Sequence, residues 1–443
     1  MNRREFLKGA LTLAALAPIT RLAAKAGADG DKTSDVRQGS QVTRRRYKNS
    51  ALTVPLLGFG CMRLPQVSPD NQGIDYATAK KMIDRAMKAG CNYFDTAYMY
   101  HGGESERCLG ELLKPYSRDS YYLTDKMPVW FARNSGNIEK IFNEQLARCK
   151  TGYFDFYMLH ALDTANWSLA QKYKAYEFLA RMKKEGKIRK LGFSFHDTPE
   201  VLQKIVNAYE WDFAQIQLNY LDWELYRSRE QYEILTKAGI PVIVMEPLRG
   251  GSLASLSPDA TEILRKADPR SSNAAWALRY VASLPNVLCV LSGMSLPEHM
   301  EDNIRTFSPL KPLTDNERKV LEQALTAYRK HLAVPCTACR YCMPCPVGVE
   351  IPKIFGLYNQ YKISGNKWLF SNNYNAIPED SRASACVNCG KCMKHCPQKI
   401  QIPAELKKIA AELNGRTKNR FRLLRRQAEP VFIFQDRLIR SGH

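Results

Sequence analysis

Three observations predict an α/β fold, a closed parallel (β/α)8 barrel followed by a small helical, cysteine-bearing domain. Between about Thr43 and Ile304, eight short β-like runs alternate with helix-length segments that are apolar at three- and four-residue spacing. No G-x-G-x-x-G follows the first of these runs, which argues against an open doubly wound sheet. Eight of the thirteen cysteines fall beyond this region, between Cys336 and Cys396.

The elements follow in order. Residues 1–28 combine Arg3-Arg4 with a short apolar stretch from Gly9 to Ile19 and small residues around Ala24–Ala28. A charged start, a short apolar middle and a small-residue exit describe an export signal, and the paired arginines point to the twin-arginine route and a periplasmic destination. Residues 29–43 read as a linker. The barrel is expected over 44–311, opening with a hairpin at 45–55 that seals its bottom. Its strands are expected at 56–60, 92–96, 121–126, 154–160, 190–195, 213–218, 241–245 and 287–291. Helices are expected at 76–89, 137–150, 170–185, 199–209 and 274–283. A helical connector (312–334) leads to the cysteine domain (335–404), and a basic tail (405–443) closes the chain.

The cysteine domain repeats internally. Cys336-x-x-Cys339-x-x-Cys342-x-x-Cys345-Pro346 is answered by Cys386-x-x-Cys389-x-x-Cys392-x-x-x-Cys396-Pro397. Three thiolates at this spacing wrap one [4Fe–4S] cube, and the fourth cysteine, ahead of proline, ligates the other cube. The expected pairing is therefore Cys336, Cys339, Cys342 and Cys396 on one cluster, and Cys386, Cys389, Cys392 and Cys345 on the second. Zinc sites use paired Cys or Cys/His ligands instead, and a chain this long builds a core without disulfides. The long spacer between the halves suits a helical dicluster ferredoxin-like domain. Cys61, Cys91, Cys108, Cys149 and Cys289 share no such spacing and are expected as small buried hydrophobes.

The net charge of +21 is partly carried by Arg416, Lys418, Arg420, Arg422, Arg425 and Arg426. Such a tail suits an anionic membrane surface or an acidic redox partner protein. No nucleic-acid-reading motif accompanies it, which disfavours that class of partner.

Within the barrel, Asp95 closes the second strand, Tyr100 lies five residues on, Lys126 ends the third strand and His160 the fourth. All four emerge at the C-terminal face, where barrels place their catalysts. A phenol that delivers a proton to a developing alkoxide is too weak an acid unaided. Lys126 is expected to lower its pKa, with Asp95 anchoring Lys126 and His160 orienting a carbonyl.

This constellation resembles the aldo/keto reductase family over roughly residues 44–306, in its ferredoxin-linked bacterial form. The segments 57–64 and 95–106, Gly186-Lys187-Ile188-Arg189 and Pro247-Leu248-x-Gly250-Gly251 all fit. The resemblance implies a TIM barrel, with the tetrad Asp95, Tyr100, Lys126 and His160 as its catalysts. It also implies NADP or NAD across the barrel mouth, held by Ser194, Gln215, Met245, Pro247, Leu248, Gly293, Met294, His299, Asp302 and Asn303. Phe195, Met245, Gly293 and His299 depart from the family's usual residues, and losing two cations at the adenine end weakens the argument for NADP over NAD. Trp130, Phe131 and Trp167 are candidates for an apolar substrate wall.

The expected function is an exported NAD(P)H-dependent oxidoreductase acting on a small carbonyl or alcohol, with two accessory [4Fe–4S] clusters. An alternative is an electron-transfer or redox-sensing subunit whose barrel serves as a nucleotide-binding or docking scaffold. The two differ over electrons: nicotinamide gives a pair as hydride, whereas the clusters pass one at a time.

Overall fold

The structure is a computed structural model and describes residues 42–68, 73–337 and 339–414. The export segment and the arginines from Arg416 onward lie outside the described residues.

A hairpin of β1 (Arg44–Arg46) and β2 (Thr53–Pro55) precedes eight parallel strands. These are β3 (Leu57–Gly60), β4 (Tyr93–Asp95), β5 (Tyr122–Met127), β6 (Phe154–Leu162), β7 (Ile188–Phe195), β8 (Phe213–Gln217), β9 (Val242–Met245) and β10 (Val287–Ser292). They close in sequence order, with β10 pairing β3. All eight expected strands are present, because each short apolar run is bounded by turn residues and followed by an amphipathic helix.

The hairpin plugs the N-terminal end. Tyr47, Val54 and Leu52 join Tyr93, Tyr122, Phe156, Phe213 and Leu288 in one apolar cluster inside the barrel. The Arg45 guanidinium donates to the Leu284 and Ala282 carbonyls at 2.8 and 2.7 Å, and the Tyr122 hydroxyl donates to the Thr53 carbonyl at 2.8 Å. These bonds satisfy carbonyls that a sealed barrel floor would otherwise leave without partners.

Two elements differ from the sequence expectation. The helix expected over 170–185 is two helices, Thr164–Lys172 and Ala175–Lys184, divided at Lys174, whose φ is 53°. Residues 405–414, expected to begin the tail, continue the helix Ile402–Asn414, and Ile402, Leu406 and Ile409 are buried in the cysteine domain's core. Apolar spacing, not the nearby charge, carries that domain beyond residue 404.

The connector helix Asp315–Arg329 starts on a capping box between Thr314 and Glu317, a motif that contributes about 1 kcal/mol. Its Leu321, Ala324 and Tyr328 pack with Trp276, Leu253 and Leu264, so it completes the barrel's outer wall. The cysteine domain has its own core, built on Val349, Ile354, Phe355, Tyr358, Phe370 and Ile377. As expected, Cys61, Cys91, Cys108, Cys149 and Cys289 are all buried. No helix among the described residues is long and apolar enough to cross a membrane.

Candidate active site and iron–sulfur module

The ends of β4, β5 and β6 bring the four tetrad residues together. Lys126 Nζ lies 2.6 Å from Asp95 Oδ1 and 2.6 Å from the Thr96 carbonyl oxygen, with both side chains almost wholly buried. The same ammonium sits 4.8 Å from the centre of the Tyr100 ring. Tyr100 and His160 meet edge to face with ring centres 6.1 Å apart. A bulge in β6 aims His160: the register shifts between Leu159 and Leu162, and Ala161 takes a φ of 50° with its N–H held by Ser194 Oγ at 2.7 Å. A left-handed alanine costs about 1–2 kcal/mol and persists only where its surroundings hold it.

Burial pushes the Tyr100 phenol well above its ordinary value; Asp95 adds to the rise and Arg63 opposes it. Desolvation of the phenolate dominates, while the lysine's nearest contacts are Asp95 and the Thr96 carbonyl. Arg63, at the end of the 57–64 segment, is thus a cation of the site that the sequence reading missed. Burial, reinforced by Lys126 and His196, pushes the His160 imidazole well below its usual range, so it is neutral at pH 7.

Behind Lys126, Gln145 Nε2 donates to Asp125 Oδ1, Glu106 Oε1 and the Lys126 carbonyl at 2.8, 3.1 and 3.0 Å. Burial and the neighbouring Glu106 raise the Asp125 carboxyl well above its ordinary value. This network fixes the end of β5 from its outer side.

Asp95 and Tyr100 open onto a cleft of about 620 Å³, partly continuous with solvent, lined also by Arg63, His196, Gln215, Met245 and Gly293. The expected cofactor contacts divide. Gln215, Met245 and Gly293 line the cleft, and Gln215 Oε1 is buried with no hydrogen-bond partner. A carboxamide N–H suits that oxygen, so the nicotinamide end fits the residues present. Ser194, already bonded to Ala161, is buried beside β6, and Phe195 and Met294 are core residues. Pro247 is buried, and Leu248 packs between two apolar clusters. On the helix Pro297–Thr306, His299 is exposed. There Asp302 accepts from Ser272 Oγ at 2.5 Å, and Asn303 donates to Ser292 Oγ at 2.7 Å. Adenine recognition at these two side chains requires exchanging bonds they already make.

Trp130 stands 5.1 Å from His160, ring centre to ring centre. Phe131 is half exposed beside Tyr98, and Trp167 packs on Tyr209. Only Trp130 of the three expected wall residues therefore makes a ring contact with the tetrad, its plane tilted 49° to that of His160.

The remaining wall of the cleft comes from the cysteine domain: Thr337, Cys339, Tyr341, Pro397 and Gln398. Arg63 Nη2 donates to the Thr337 carbonyl at 3.0 Å, and the Gln217 and Gln398 amides exchange hydrogen bonds of 3.2 and 2.7 Å. Arg249, paired with Asp222 at 3.0 Å, reaches Gln398 Oε1 at 3.4 Å. Gly250 is essential to this approach: its φ is 66°, and a Cβ there would lie 2.0 Å from the Thr337 oxygen. Gly250→Val is expected to destabilise the protein by about 2–4 kcal/mol, from overlap and backbone strain together. The check is a chemical-denaturation curve in which the barrel's secondary structure is retained.

The cysteines form two groups. Cys336, Cys339, Cys342 and Cys396 line one cavity of about 310 Å³, with Phe355, Ile400 and Ile402. Cys345, Cys386, Cys389 and Cys392 line a second of about 310 Å³, with Val347, Val387 and Leu406. Ile351 lies in the wall of both. Among the described residues no three His, Cys, Asp or Glu side chains are placed to hold a single metal ion; the thiols instead ring a volume, as a multi-atom cluster requires. Burial pushes the Cys339 and Cys342 thiols up to about 12, so their thiolate forms need a bound cation's compensation.

Residues 335–400 match the 4Fe-4S dicluster domain. The uncharacterized oxidoreductase YqkF of Bacillus subtilis is 25% identical over 63% of this chain and 95% of its own. L-galactose dehydrogenase of Arabidopsis thaliana is 25% identical over 67% of this chain and 98% of its own. Among solved structures, the holo form of an aldo-keto reductase from Bacillus halodurans superposes with a TM-score of 0.54, at 26% identity over 64% of this chain and 96% of that one. Residues 56–325 match the aldo/keto reductase family, and with that match spanning the closed barrel and its tetrad, the chain belongs to this family.

Proposed function

We propose that the barrel reduces a small carbonyl compound, or oxidises the matching alcohol, with NAD(P)H, and that the two cysteine quartets each hold a [4Fe–4S] cluster. The meeting of Asp95, Tyr100, Lys126 and His160 beside a cleft that Asp95 and Tyr100 line carries this reading. When bound, the nicotinamide supplies or accepts a hydride. Neutral His160 holds the carbonyl oxygen by hydrogen bonding, and Tyr100 delivers a proton to it as negative charge develops. Asp95 holds Lys126, whose positive charge stabilises the phenolate left behind. NADP and NAD are both compatible with the fit at the nicotinamide end. Export by the twin-arginine route belongs to the same proposal, because that route carries folded proteins and a cluster-bearing domain is loaded before it crosses. The substrate is small, since the cysteine domain roofs the cleft.

Crossed ligation makes the clusters separable. Cys396→Ser is expected to abolish the first cluster and Cys345→Ser the second, although each residue belongs to the other's motif. Iron content and the electron paramagnetic resonance of the reduced protein check this; Cys396→Ser removing the signal of the second cluster instead would refute the pairing.

A second reading is supported by Cys339, which lines the cleft together with Tyr100. A cluster held there would lie beside any redox-active ligand of the barrel, which suits an electron-transfer or redox-sensing subunit served by a partner protein. Nucleotide that bleaches the clusters without a carbonyl would favour it. Carbonyl-dependent oxidation of NAD(P)H with unbleached clusters would favour the reductase.

A further inference from the structure

Tyr341 lies between two cysteines of the first quartet, Cys339 and Cys342, yet its side chain belongs to the barrel's site. Its hydroxyl is 3.2 Å from His160 Nε2, with the rings edge to face at 6.3 Å. That nitrogen is the one through which His160 would hold a carbonyl; Nδ1, the other, is buried and has no partner. Tyr341 and a substrate oxygen therefore compete for one hydrogen bond. The residues that seat the segment sit beside the same quartet: Thr337 follows Cys336 and takes the bond from Arg63, and Gln398 follows Cys396 by two and pairs with Gln217. Gly250 leaves room for Thr337 and for no side chain of its own. The barrel face is thus shaped to this segment, and the segment's course is set by cysteines that ring one cavity.

We propose that Tyr341 is the access-determining residue of the barrel: its phenol occupies the carbonyl's place on His160, and substrate binds by displacing it. The inference rests on the carbonyl-reducing reading of the tetrad. A site open for only a fraction of the time binds its ligand more weakly by that fraction. Freeing His160 Nε2 raises affinity for any planar oxygen ligand small enough to reach it.

The test uses the full chain with both clusters loaded and benzoate as the probe, a planar carboxylate whose oxygens accept from Tyr100 and from His160 as its Nε2–H tautomer. Calorimetry is expected to give a benzoate Kd at least about tenfold lower for Tyr341→Ala than for the unmodified protein. Tyr341→Phe, which keeps the ring and removes the hydroxyl, should fall between them. The gain should vanish in Tyr341→Ala combined with His160→Ala, which places the ligand at the tetrad. Iron content and resonance spectra equal to those of the unmodified protein establish that the first quartet is undisturbed; if Tyr341→Ala loses iron, Tyr341→Phe decides alone. Benzoate affinity unchanged or lowered in the deciding variant overturns the proposal. The readout is independent of turnover: if no variant oxidises NAD(P)H with any carbonyl while the affinity contrast holds, the reductase reading fails and the competition for His160 stands.

Discussion

Replacing Tyr100 by Phe is expected to lower carbonyl turnover by about 10²–10⁴-fold, the range of positioned proton transfer, with both clusters and the fold unchanged. Among the described residues, Tyr100 is the one phenol that lies both against the Lys126 ammonium and edge-on to His160. Tyr341, the other phenol at the cleft, bonds to His160 and is placed to obstruct rather than to donate. Removing the Tyr100 hydroxyl takes away the proton while the ring still fills its place. The loss should therefore appear in kcat, with little change in substrate affinity. Steady-state kinetics on the two proteins, with iron content as the control, check it.

Lys126→Met carries the second large effect, because it strikes stability and chemistry together. Lys126 and Asp95 are both almost wholly buried and 2.6 Å apart. Removing the ammonium leaves a carboxylate unpaired in the barrel, a change that costs about 3–5 kcal/mol. Burial already pushes the Asp95 carboxyl up against the opposing pull of Lys126, and without the lysine only the upward push remains. The sign with pH follows. A carboxyl whose folded pKa exceeds its unfolded value destabilises the fold as pH rises above the unfolded value, and the penalty levels off above the folded one. The deficit of Lys126→Met should therefore shrink as pH falls from neutrality. Adding Asp95→Asn should restore much of the stability and none of the activity. Denaturation at several pH values, run beside the kinetics, separates these outcomes.

Much of this arrangement was legible in the sequence because it is local. The eight strands follow from short apolar runs bounded by turns; Asp95 and Lys126 sit at or next to a strand's C-terminal end, and His160 two residues before one. The grouping of Cys396 with the first three cysteines, and of Cys345 with the last three, is visible in spacing alone. The composite roof of the site was not. Tyr341 is an ordinary aromatic between two cysteines, and Thr337 and Gln398 carry no motif; their meaning depends on where one domain docks on another, which no periodicity encodes. Arg63 escaped notice for a similar reason, since its reach to Thr337 spans the two domains. Gly250 left a trace in Pro247-Leu248-x-Gly250-Gly251, but as a family segment, without the neighbour that requires it. The burial that raises the Tyr100 phenol was not legible either, because it depends on packing that no local pattern shows.

The most direct test of the whole account follows NAD(P)H and cluster absorbance together, anaerobically, in the fully loaded protein offered a panel of small aldehydes and ketones. The account predicts nicotinamide oxidation that depends on the carbonyl, disappears in Tyr100→Phe and leaves the cluster bands unchanged. Oxidation that proceeds without any carbonyl and bleaches the clusters, equally in both proteins, would contradict it.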